Sequence, residues 1–266
     1  MTTIANEIEY LQKGHLFDFA PSIRRINIKE RWYEEEYVIG FLDHSGYYPD
    51  QKTLLKKFYK YIVPCLESLI LSQSPIVKNT LDYVCEMKNI LVTDTFWRDE
   101  FDVKKRDKIL DFIHVMDERV HSEGNLSLFL VFTHGDFCPT NILNTRHGIK
   151  VIDWESATFR SALFDFYSYL FFRPLHQKLP LDKLSPEINM ALSFYLSKLD
   201  VITPDISESL KSFERMYRWF FYIERIFMLV EREKYDTKLN IMDEMLYYIE
   251  VFNSYEEISA EDAVKI

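Results

Sequence analysis

Most of this chain has the apolar spacing of helices, and one stretch does not. Two short apolar runs, "SLFLVFT" (127–133) and "IKVID" (149–153), flank the loop "HGDFCPTN" (134–141). Runs of this length, rich in aromatic and β-branched residues, predict buried strands. A turn at "TRHG" leads into the second of them. On both sides the apolar positions recur every three or four residues, which predicts helices over 50–72, 75–91 and 104–121, then over 162–172, 185–199, 206–234 and 238–253. The chain therefore has to seat one strand–loop–strand unit inside a helical body. Loops held by a rigid scaffold are where chemistry concentrates.

The N-terminal part is different. Residues 3–13 predict a short helix through Ile4, Ile8 and Leu11. Residues 22–29 and 32–39 predict an antiparallel pair with a turn near Lys29–Arg31, and Gly40 ends the strand signal. The expected class is α+β, with a small β-containing segment at 1–45 and a helical body at 46–266. An apolar fraction of 47% over 266 residues is enough to build its core.

Charge and cysteine usage narrow the function classes. A formal net charge of −10 argues against a nucleic acid or an anionic membrane as the main partner. Cys65, Cys85 and Cys138 are widely spaced, which suggests neither a disulfide framework nor a zinc site. The most apolar late stretch, "WFFYIERIFMLV" (219–230), is too short to span a bilayer and carries Glu224 and Arg225 in its middle. The N-terminus has no apolar signal-peptide core, so the expected location is the cytoplasm.

The loop carries the polar residues that need a reason. Asp136 and Asn141 are five positions apart, and Asp153 ends the second predicted strand. Singly, Asp136 could cap a turn and Asn141 could close an Asx-turn. Together they form a set with a chemical use. A carboxylate and an amide oxygen are hard ligands of the kind Mg²⁺ takes alongside phosphate oxygens. A second carboxylate can accept the proton of an attacking hydroxyl. That combination is the polar minimum for phosphoryl transfer.

The sequence "HGDFCPTN" resembles the catalytic loop of the aminoglycoside phosphotransferase and choline kinase superfamily, which has a protein-kinase-like fold. The Asp-to-Asn spacing equals that of the kinase loop H-R-D-x-x-x-x-N. "VIDWESATFRSALFDF" resembles the segment that follows in those enzymes. The resemblance implies Asp136 as catalytic base and Asn141 and Asp153 as Mg²⁺ ligands, with His134 and Asp165 supporting the loop. It further implies ATP or another nucleoside triphosphate as donor. The acceptor would be a small-molecule hydroxyl of aminoglycoside-, choline- or sugar-like kind.

The N-terminal lobe of the family is only partly matched. No Gly-rich loop and no strand lysine ahead of a helix stand in this sequence. "ANEIEYLQKG" resembles the lobe's helix, with Glu7 or Glu9 in place of its pairing glutamate. "PSIRRINIKERWYEEEYVIGF" resembles the last strands and the hinge, so that Glu35, Glu36, Tyr37 and Val38 would face the nucleotide. Arg24, Arg25 and Lys29 are the nearby cations that could reach phosphates. The shortened lobe leaves a second function class open, a kinase-like module that binds without catalysis. It also leaves a sheet edge on which a second copy could pair.

Overall fold

A computed structural model describes residues 17–27, 29–30, 32–42, 51–92, 102–177, 180–233 and 241–264. The expected N-terminal helix, with Glu7 and Glu9, lies outside these residues.

The first elements follow the alternation in the sequence. Strand β1 (Ile23–Asn27) pairs antiparallel with β2 (Trp32–Glu35), with Asn27 opposite Trp32 and a register shift between Ile23 and Arg25. The side chain of Asn27 ties the turn, accepting from the Glu30 N–H at 3.1 Å. An extended segment, 36–40, leads to β3 (Phe41–Leu42). Gly40 lies close against the next sheet, where a Cβ would stand 2.9 Å from the Asn144 carbonyl.

The helical body begins with α1 (Gln51–Lys57), a π-helical turn (Phe58–Ile62) and α2 (Val63–Leu71). Pro64 cannot donate to the carbonyl one turn back, and the wide turn lies directly before it. The stretch expected to be helical from residue 75 instead opens as β4 (Ile76–Asn79) and only then becomes α3 (Thr80–Val92). Ile76 and Val77 suit a strand, and the Asn79 side chain caps the helix through the Leu81 N–H at 2.9 Å. Helix α4 (Val103–Glu123) starts at Asp102, whose carboxylate accepts from the Lys104 N–H at 2.9 Å. It buries Ile109, Phe112, Ile113, Met116 and Val120 at helical spacing and stops at Gly124.

Two antiparallel sheets hold the central unit. Strand β5 (Ser127–Thr133) lies between β4 and β8 (Thr158–Ser161). Strand β6 (Ile142–Thr145) lies between β3 and β7 (Gly148–Val151). The loop between β5 and β6 thus joins the two sheets. Strands β6 and β8 were not resolved from the sequence, because four residues that mix polar and apolar types carry too little period to register.

Helices α5 (Phe164–Gln177), α6 (Leu181–Ile202), α7 (Pro204–Ser212), α8 (Glu214–Glu233) and α9 (Ile241–Val264) complete the described fold. The long helix expected over 206–234 is two helices, broken at Phe213 where the backbone turns to φ −129° and ψ 29°. Beyond the break Tyr217 reaches back to strand β5, its hydroxyl accepting from the Phe129 N–H at 3.1 Å. The core is continuous and aromatic, as the composition suggests. Phe17, Phe132 and Trp154 stack beneath the β5–β6 loop. No described helix is long and apolar enough to cross a membrane.

Candidate active site

The loop 134–141 is held by its own polar groups and by partners from outside it. Asp165, at the start of α5, accepts from the His134 and Gly135 backbone N–H groups at 2.6 and 3.0 Å. The His134 ring bridges two backbones. Its Nε2 contacts the Ile152 carbonyl at 3.0 Å, and its Nδ1 accepts from the Asp136 N–H at 3.3 Å. These partners fix the ring with its proton on Nε2. Gly135 has φ +86°, and a Cβ there would meet the Ser156 carbonyl at 2.1 Å. Only glycine suits that position.

Asn141 closes the loop. Its Nδ2 donates to the Asp136 carbonyl and to Asp136 Oδ2, both at 3.0 Å. Its Oδ1 has no partner among the described residues. The Asn141 carbonyl accepts from the Ile152 N–H at 2.9 Å, which joins the loop to the strand that delivers Asp153. Asp153 has φ 67° and ψ 63°, a left-handed backbone that a non-glycine residue rarely takes. Its carboxylate is exposed and has no ion-pair or hydrogen-bond partner among the described residues.

Electrostatics separate the acids. Burial alone would raise the Asp136 carboxyl, but Arg225, His134 and the bonds from Arg225 and Asn141 more than offset it and hold it below its ordinary value. Partial desolvation raises Asp153, and the neighbouring carboxylates of Glu155 and Asp136 raise it further. Asp165 is raised to about 7 by complete burial, against the two N–H bonds it accepts. Burial lowers His134 to about 4, so the ring is neutral near pH 7. Burial also pushes the Cys138 thiol up to about 11, and it contacts Thr140 Oγ1 at 3.1 Å. A neutral thiol is a poor nucleophile, in keeping with a spectator role.

The donor set fits a hard cation that also carries phosphate. Asn141 offers one oxygen, and Asp153 a whole carboxylate, without described partners. The described residues contain no cluster of three or more His, Cys, Asp or Glu side chains able to hold a metal by themselves. Mg²⁺ typically takes few protein ligands and completes its shell with water and phosphate oxygens.

The expected hinge residues divide. Glu35 is raised by partial desolvation and by the Asp153 charge, so its carboxylate lies within electrostatic reach of the site. Glu36 turns instead to Ser22, whose hydroxyl donates at 3.1 Å. Tyr37 is 85% exposed and Val38 is half-buried. Arg25 pairs with Glu34 at 3.7 Å, while Arg24 and Lys29 are exposed on the hairpin.

One residue of the site was noticed in the sequence for another reason. Arg225 on α8 sends Nη1 to Asp136 Oδ1 at 3.2 Å. The signal was its place beside Glu224 in the most apolar helix, since charges there must find partners. Glu224 serves the scaffold: it accepts from the Ser161 N–H at 2.8 Å and from the Tyr83 hydroxyl at 2.7 Å.

Known structures share this fold. Choline kinase from Cryptosporidium parvum Iowa II superposes with a TM-score of 0.63 at 17% identity, covering 97% of this chain and 79% of that one. Plasmodium vivax ethanolamine kinase gives 0.57 at 14% identity, covering 92% and 71%. The fold is protein-kinase-like. Aminoglycoside phosphotransferase APH(4)-Ia matches this kinase-like chain as an apo thermostable mutant, at 0.58 and 12% identity over 99% and 85%. It matches also as a mutant in ternary complex with ADP and hygromycin B, at 0.53 and 13% identity over 94% and 83%. Residues 92–184, which span the loop, Asp153 and Asp165, match the model of the phosphotransferase enzyme family. No curated protein matches the sequence.

Proposed function

We propose that this chain transfers the γ-phosphoryl group of ATP, or of another nucleoside triphosphate, to a hydroxyl of a small molecule. The observation that carries this is the joining of Asp136 to Asn141 on a loop whose backbone is bonded to the strand leading to Asp153. The family match over 92–184 and the kinase-like fold support a phosphotransferase.

In this reading the acceptor oxygen attacks the γ-phosphorus. The bond from that phosphorus to the β–γ bridging oxygen breaks, and the nucleoside diphosphate leaves. Asp136 orients the hydroxyl and takes its proton. Asn141 and Asp153 would hold Mg²⁺, which would supply positive charge for the phosphate oxygens. His134 and Asp165 keep the loop in place from behind. Backbone groups of the segment around Glu35–Val38 face the base of the nucleotide. The acceptor is of aminoglycoside-, choline- or sugar-like kind, and the reaction takes place in the cytoplasm.

A second reading is a kinase-like module that binds its ligand without turnover. It is favoured by the hairpin, where the described cations are exposed or paired with Glu34. Transfer of label from γ-labelled ATP to a panel of hydroxyl compounds separates the two readings. Asp136→Ala should lower transfer by roughly 10²–10⁴-fold, the usual contribution of a positioned base. Transfer that survives this change refutes the mechanism. Nucleotide binding without transfer to any acceptor supports the binding module.

A further inference from the structure

Arg225 is a buried cation on a helix that the proposed chemistry does not yet use. Its side chain is 13% exposed, and its guanidinium sits at the outer oxygen of the proposed base. Asp136 is gripped at both ends: Arg225 takes Oδ1 at 3.2 Å and Asn141 takes Oδ2 at 3.0 Å. A carboxylate held by one donor can swing about its last torsion, because that torsion is broad. A carboxylate held at both oxygens has a fixed plane. It has about four acceptor sites, so two remain to receive an acceptor hydroxyl.

Arg225 is itself braced. Its guanidinium lies 5.9 Å from the centre of the Tyr248 ring, and the Tyr248 hydroxyl bonds Glu244 at 3.0 Å and His176 at 3.2 Å. Tyr248 and Glu244 are on α9, and His176 is near the end of α5. The brace therefore runs from the loop through three helices. It reaches Asp136 at the oxygen that Asn141 does not take.

We infer that Arg225 is a positioning residue, which fixes the plane of the Asp136 carboxylate so that its remaining lone pairs face the acceptor hydroxyl. The inference rests on the phosphotransfer reading. It makes a helix eighty-nine positions downstream part of the machinery that aims the base.

The test uses the full chain with Mg²⁺-ATP and water as the acceptor, followed as release of ADP. Arg225→Met should lower kcat by about 10–100-fold, as expected for a reacting group displaced by about 1 Å. The KM for ATP should change less than about 2-fold, because Arg225 positions the base and not the nucleotide. Arg225→Lys, which keeps the charge but loses the planar fork, should fall between Met and wild type. A purely structural role would not give this ordering at constant KM. A crystal structure of Arg225→Met, or of Arg225→Gln if the Met variant does not melt cooperatively, should show the Asp136 carboxylate rotated from its present plane. If Asp136→Ala removes turnover while Arg225→Met keeps the wild-type kcat, the inference fails and the reading stands. If turnover does not depend on Asp136, the reading fails. The orientation of Asp136 in the variant crystal then decides the positioning role by itself, an unmoved carboxylate overturning it.

Discussion

His134 and Asp165 sit back to back behind the loop, and burial moves them in opposite directions. His134 falls to about 4 and Asp165 rises to about 7. Between pH 4 and 6.5 the unfolded chain binds more protons at the histidine, so that group makes stability increase with pH. Asp165 does the reverse. The native state holds its proton up to about pH 7 while the unfolded chain loses it near 4, so its contribution is present at low pH and lost as pH rises to 7. The two oppose each other in the native chain. His134→Gln removes the titrating ring and with it the opposing contribution. Thermal melts should then show the midpoint of that variant falling relative to that of the native chain as pH rises from 4 to 6.5. A variant profile parallel to the native one contradicts the assignment. Asp136, Asn141 and Asp153 could be picked out as candidates because they stand close together in a sequence that resembles a known catalytic loop. Arg225 was not, because its partner lies 89 positions away and only tertiary packing brings the two together.

At the scale of elements, the site depends on short strands and on one helix. Strand β8 is tied to α8 by Glu224, which is fully buried and accepts from Ser161 and Tyr83. Removing it leaves several donors without partners in the interior. Glu224→Ala should cost about 3–5 kcal/mol, the range for breaking a buried network from one side. Equilibrium denaturation measures this, and a loss below 1 kcal/mol would contradict it. The long helices were legible because many apolar residues repeat at one period, as Ile109, Phe112, Ile113, Met116 and Val120 do in α4. The four-residue strands were harder to read. Strand β4 was hidden inside an apolar run that a helix also satisfies, and its end is set by Asn79 acting as a cap. The break at Phe213 carried no glycine or proline to mark it, so the two helices around it read as one.

At the scale of the molecule, the small β-containing part and the helical body are joined by an extended segment and by strand pairing. Strand β3 follows the segment at 36–40 and pairs with β6, so the chain beyond the hairpin is anchored to the sheet that continues from the 134–141 loop. The phosphoryl-transfer reading requires that this assembly bind a nucleotide at Asp153 and Asn141. Calorimetric titration of the chain with ATP in the presence of Mg²⁺, beside Asp153→Ala, tests that requirement most directly. Saturable binding that needs the metal and is weakened at least about 10-fold, or roughly 1.4 kcal/mol, in the variant is the expected result. Binding that ignores both the metal and Asp153, or no binding by a chain that melts cooperatively, would contradict it.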